Sequence, residues 1–158
     1  MMQLTLIRHA KSSWDDPDLS DFDRPLDRRG LRDAPVMAQL VAGRKQQIDV
    51  ILSSTAVRAA STAQYFADAL DCEIEFFDQL YNADPRRVAD LVAAREEDNV
   101  AVVAHDPTLS ILARHFSPQI PHMPTCAVAW FTWPANSWRE ALRTPPARVQ
   151  YDIPRDTA

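Results

Sequence analysis

The chain reads as an α/β protein, a three-layer α/β/α sandwich around a mostly parallel central sheet, and three features predict it. Short apolar segments alternate along the whole sequence with longer ones of helical spacing, the pattern of strand–helix–strand units. Residues 48–52 and 100–104 are near-continuous apolar runs, as expected of strands covered on both faces. The third feature is ordinary composition, with 46% hydrophobic and 25% charged residues in 158, which suits one globular domain spanning residues 1–158.

Each element follows from its residues. Gln3 to Ile7 is short, apolar and β-prone, and it ends abruptly at Arg8-His9. Residues 10–27 are polar, with Pro17, Pro25 and several aspartates, and read as a loop. A helix is expected from Arg29 to Gln46, because Leu31, Ala34, Met37, Leu40 and Val41 share one helical face. Pro35 is placed near its start, where a missing N–H is tolerated. A second strand (48–53) precedes a helix at 56–70 carrying Ala60, Ala63, Phe66, Ala67 and Leu70 on one face. Residues 73–77 read as a third strand. Pro85 opens a helix to Arg95, residues 99–104 form a buried strand ending at His105, and Pro107 starts a helix to Phe116. Residues 126–133 are a further strand, followed by residues 138–142 and a proline-rich tail.

Composition excludes several functions. A net charge of −5 argues against a nucleic-acid partner, which needs a basic face. No stretch nears the ~20 apolar residues of a membrane helix, and no signal peptide is read at the N-terminus, so a cytoplasmic protein without membrane attachment is expected. With only Gly30 and Gly43 in the chain, there is neither a P-loop nor a dinucleotide fingerprint. Cys72 and Cys126 have no metal-ligand spacing and are expected as buried thiols of a reducing cytosol. No cofactor and no metal are expected.

Chemistry gathers at the strand ends, where open α/β sheets bind ligands. The first strand delivers Arg8 and His9, the second leads to Arg58, and the fourth delivers His105. An Arg-His pair or a strand-terminal histidine is uninformative alone, and His115 and His122 are read as structural. Arg8, His9, Arg58 and His105 on one sheet edge are another matter. Arginine binds phosphate through a bidentate fork that keeps its charge, and two imidazoles can divide attack and proton donation near neutral pH.

Three motifs then resemble a known family. Leu6-Ile7-Arg8-His9-Ala10 is similar to the Arg-His-Gly signature of the histidine phosphatase superfamily. Residues 53–63, running from Ser53 through Arg58 to Ala63, resemble its second motif. Val102-Val103-Ala104-His105 resembles its late Val-x-His motif. The 8–14 segment, Arg24-Pro25-Leu26 before Gly30, and Pro124-Thr125 are similar to the small SixA-type phosphohistidine phosphatases. The resemblance implies a phosphoglycerate mutase-like fold. It makes His9 the nucleophile, Arg8 and Arg58 the phosphate clamp, His105 a second imidazole on the transferring group, and Ser12 a phosphate contact. Implied substrates are a phosphorylated protein, with phosphohistidine foremost, or a small phosphorylated molecule.

The departures from the family pattern have chemical content. Ala10 stands for a glycine and is expected to crowd the phosphate loop, and Thr55 stands for a proline. Asn82 occupies the place of the glutamate that serves larger members as proton donor. Without that acid, leaving groups such as imidazole are favoured over alkoxides, and Asp15 and Asp16, then Asp78 and Asp84, are the remaining candidate donors. The short segment from Asp78 to Asp84 predicts a shallow site suited to a phosphorylated side chain, with Trp14, Phe22, Tyr81 and His122 as candidate rim residues. Two other functions fit the same residues: a phosphatase or mutase of a small metabolite, and a non-catalytic phosphate-binding module.

Overall fold

The computed structural model describes residues 1–44 and 46–155. Six strands form one sheet: β1 (Met2–Arg8), β2 (Val50–Ser54), β3 (Glu73–Phe77), β4 (Asn99–Ala104), β5 (Val128–Trp133) and β6 (Arg148–Asp152). Their order is β3-β2-β4-β1-β5-β6. The first four strands pair in parallel, and β5 alone runs the other way, antiparallel to both β1 and β6. Helices α1 (Arg28–Gly43), α2 (Val57–Leu70), α3 (Pro85–Ala93), α4 (Thr108–Phe116) and α5 (Trp138–Ala141) cover the sheet.

Alternation along the strands sorts the core into two layers, because successive side chains point to opposite faces. Val100 and Val102 of β4 join Leu4, Leu6, Leu52 and Phe131 under α3, α4 and α5. Ala101 and Val103 face the other way, with Ile7 and Ile51, against Met37 and Val41 of α1 and Phe66 of α2. Side chains such as Phe66 and Trp133 are wholly buried, and each burial of this kind contributes about 1.5–3 kcal/mol. Both layers close over β4, β1 and β2, so these strands are fixed most firmly, and their ends carry the residues of interest.

Element boundaries moved where local chemistry outweighs periodicity. α1 starts at Arg28, since the Asp27 side chain accepts the Gly30 N–H at 2.9 Å and caps the helix. It ends at Gly43 rather than Gln46; Lys45, within the expected span, lies outside the described residues, as do residues 156–158. Pro35 sits two turns into α1 and not in its first turn. The proline-rich tail contains β6, an edge strand with no buried residue, hidden by that exposure and by the prolines before it. It is held by β5 and by an Arg44–Asp152 ion pair. Cys126 is buried as expected, while Cys72 is only half-buried, and both are free thiols. Among the described residues no helix is long and apolar enough to cross a membrane.

Gly30 fixes the approach of α1 to the loop after β1. A Cβ there would lie 2.1 Å from the Lys11 carbonyl oxygen, which already accepts the Asp27 N–H at 2.9 Å. Only glycine lets the helix start press against the chain just beyond His9.

Candidate active site

Strand order explains the convergence. Because β4 lies between β1 and β2, the position after its last residue is flanked by the ends of both neighbours. A cleft of about 330 Å³ opens there, lined by Arg8, His9, Ser12, Arg58 and His105, with Asp21, Arg24 and Asn82 among the others. The structure thus brings together every residue expected at the phosphate. Asp15 and Asp16 are exposed and line no part of this cleft. Ser13 Oγ accepts the Asp15 N–H, and Asp16 is turned back on the Asp18 N–H.

His9 is held as a free base. Its Nδ1 lies 2.8 Å from the Ala10 carbonyl oxygen; a carbonyl can only accept, so Nδ1 carries the proton and Nε2 keeps its lone pair. Burial, helped by the nearby His105, Arg58 and Arg8, lowers its pKa to about 3. The loop that carries it is pinned from both sides. Ala10 N–H donates to Thr62 Oγ1 at 2.9 Å, and the Cys126 N–H is shared between the carbonyls of Arg8 (3.1 Å) and His9 (3.0 Å). Ala10 itself is fully buried with Ile7, Ala34 and Val128, so its methyl group fills the core and does not crowd the phosphate side.

His105 faces His9, with ring centroids 5.1 Å apart. Its Nε2 lies 2.8 Å from Ser54 Oγ, and its buried Nδ1 has no hydrogen-bond partner among the described residues. Burial first, then the Arg58 charge, lowers its pKa to about 4. Arg8 donates through Nη1 to the Met123 carbonyl at 2.8 Å and stands 3.9 Å from Asp106. Nε of Arg8 and of Arg58 are buried without a hydrogen-bond partner among the described residues. Cationic donors therefore line the cleft together with His9. That is the arrangement a transferring phosphoryl group needs.

Two residues that sequence reasoning did not assign a role complete the site. Asp21, on a short 3-10 turn (Asp21–Asp23), bridges Arg58 Nη2 (3.0 Å), Arg24 Nε (3.1 Å) and the Tyr81 hydroxyl (2.6 Å). The Tyr81 hydrogen bond, followed by Arg58, pulls its pKa down to about 2, so it is a carboxylate at any working pH. Arg24 also donates to Ser12 Oγ at 2.7 Å and lies 3.5 Å over the exposed Trp14 ring. Arg24 stood inside a recognised segment; nothing in the spacing of Asp21 separates it from its acidic neighbours. Thr55, at the proline position, hydrogen-bonds Asp78 at 2.7 Å and ties the end of β2 to the turn at Asp78–Leu80. Asn82 has φ 58°, a left-handed conformation that asparagine tolerates better than most residues.

The rim aromatics divide. Trp14 lines the cleft, Phe22 packs edge-on against Tyr81, and Tyr81 packs edge-on against His105. His122 is outside it, with Nε2 2.9 Å from Asp106.

A family model described as "Histidine phosphatase superfamily (branch 1)" matches residues 4–87. The protein Rv1276c of Mycobacterium tuberculosis is 37% identical over 110 residues, 68% of this chain and 67% of that one. Among solved structures, SixA of Agrobacterium tumefaciens is 33% identical with a TM-score of 0.77, covering 84% of this chain and 92% of its own. The protein histidine phosphatase SixA complexed with tungstate, at 24% identity, shares the fold with a TM-score of 0.76 over 96% of this chain and 95% of its own. The match spans His9, just after β1, and Arg58, in the first turn of α2, and the likeness in fold extends over the rest: the chain belongs to the histidine phosphatase superfamily, in its SixA-type branch.

Proposed function

We propose that the chain is a one-domain, metal-independent phosphatase that removes phosphate from phosphohistidine in a protein, through a phosphohistidine intermediate on His9. The observation that carries this reading is the state of His9. Its Nε2 is unprotonated, its ring is fixed by Ala10, and Arg8, Arg58 and His105 line the same cleft. In the first step Nε2 attacks phosphorus while the bond to the leaving imidazole breaks. A leaving ring whose other nitrogen is protonated departs as neutral imidazole. In the second step water attacks phosphorus, the bond to His9 breaks, and inorganic phosphate leaves with His9 neutral again. Arg8, Arg58 and Arg24 hold the equatorial charge, so positioning and charge stabilisation supply the catalysis.

The choice of leaving group is supported by the carboxyl groups of the described cleft residues, Asp21 and Asp106, both of which are engaged. Asp21 is an ion-paired carboxylate, and both oxygens of Asp106 accept hydrogen bonds, from Ser110 N at 3.0 Å and Ser110 Oγ at 2.6 Å. The two free thiols accord with a cytosolic setting. The deciding assay gives the protein a histidine-phosphorylated protein and a small phosphorylated metabolite, each in excess chelator. Faster turnover of the phosphoprotein is expected, with activity unchanged by chelation. Preference for the metabolite, or loss of activity restored by Mg²⁺ or Zn²⁺, overturns the reading.

The lowered pKa of His9 also predicts a pH profile. A histidine at the ordinary value near 6.5 would be about 97% protonated at pH 5, and kcat/KM would fall roughly thirtyfold from its plateau. With His9 at about 3, kcat/KM should hold to pH 5 after correction for the substrate's own ionisation. A thirtyfold acid limb centred near 6.5 would show that His9 titrates normally.

A further inference from the structure

Beside the His9 cleft lies a larger one of about 680 Å³, walled by the loop after β1 and the first turns of α1. Lys11, Ser12 and Trp14 line both, so the two clefts adjoin across these residues. Its cations are Lys11, Arg28, Arg29 and Arg32, and its carboxylates are Asp15 and Asp27. Asp27 is committed to the helix cap. Asp33, buried beside it, lies 3.4 Å from Arg29 Nε and from Arg32 Nε. Lys11 and Arg28 have no ion pair among the described residues.

Asp33 partners Arg29 and Arg32, but stability does not account for Lys11 and Arg28. α1 has no acidic residue in its first turn and begins Arg28-Arg29, where the helix's own partial positive charge disfavours cations. Nor does overall composition account for them, since the chain carries −5. A basic cleft in an acidic protein focuses its potential locally and draws anions toward the adjoining His9 site.

We infer that this cleft is a second anion subsite, and that it takes an acidic stretch of polypeptide flanking the phosphorylated residue. The inference rests on the reading of the substrate as a phosphorylated protein. A single second phosphate would call for cations converging on one point. Here Arg28 and Arg32 are spread along α1 with about 6 Å of rise between them, close to the ~6.6 Å separating alternate residues of an extended peptide. The volume is about twice that of the His9 cleft. Trp14, 71% exposed and braced by Arg24, forms the saddle across which the peptide passes.

Matched peptides carrying one phosphohistidine, flanked by Asp and Glu or by Asn and Gln, test this at low ionic strength. The acidic series should show a KM about fivefold lower at equal kcat. Arg28→Glu should erase that preference. Its Tm should hold or rise, because a carboxylate suits a helix start, and its hydrolysis of phosphoimidazole should be unchanged. Equal KM for both series overturns the inference, as does an equal loss by the variant on phosphoimidazole. If neither peptide is hydrolysed, the phosphohistidine reading fails by itself. Titration with the unphosphorylated acidic peptide then decides the subsite: amide shifts at Lys11 and Arg28 uphold it, and their absence overturns it.

Discussion

Replacing His9 with alanine is expected to lower turnover by at least about 10⁴-fold and to abolish trapping of labelled phosphate on the protein. Wild type, mixed rapidly with labelled substrate and quenched in base, should retain label that survives alkali and is lost in acid, the behaviour of a P–N bond. The loss in the variant should be chemical and not structural. The ring's hydrogen bond is to its own neighbour's carbonyl, and the loop keeps its anchors at Thr62 and Cys126. His105→Ala, which leaves the nucleophile in place, should slow labelling without preventing it. Normal labelling of His9→Ala would sink the mechanism.

The second large effect concerns leaving groups. Protonation of a departing group by a placed acid contributes a factor of about 10²–10⁴. The cleft presents an amide at Asn82 and an ion-paired carboxylate at Asp21. Phosphohistidine and nitrophenyl phosphate should therefore exceed phosphoserine in kcat/KM by something of that order. A carboxyl restored at position 82 should recover part of the lag. Asn82→Asp suits this test better than a glutamate, because φ is 58° there and aspartate shares asparagine's tolerance of that conformation. A rate indifferent to leaving-group pKa across the series would show that another donor operates.

How far the sequence reveals this site depends on the range of the interactions involved. Arg8, His9 and His105 follow apolar strands directly, so strand detection alone puts them at the sheet edge, and Arg58 comes with the helix after β2. The covered strands were legible because burial on both faces leaves a continuous apolar run. β6 was not, because an edge strand needs apolar residues on one face at most, and its identity depends on pairing with β5. Asp21 escaped for a different reason. Its contacts are with Arg24, Arg58 and Tyr81, which lie up to 60 positions away, whereas Asp15 and Asp16 are near His9 only along the chain and line no part of its cleft. The end of α1 was misplaced because Leu40 and Val41 continue the pattern right to Gly43, and periodicity carries no stop signal of its own.

The placement of β1 bears on how the protein is made. Its partners are β4 and β5, both far downstream, so the strand that leads into His9 is translated before either of them and finds its neighbours late. At about 5–20 residues per second, roughly a hundred residues must follow before Leu6 can meet Val102. Until then β2 and β3 can pair with each other, but the first strand has no place in a sheet. The cleft at His9 can therefore form only once β4 has been made and has slid in between β1 and β2.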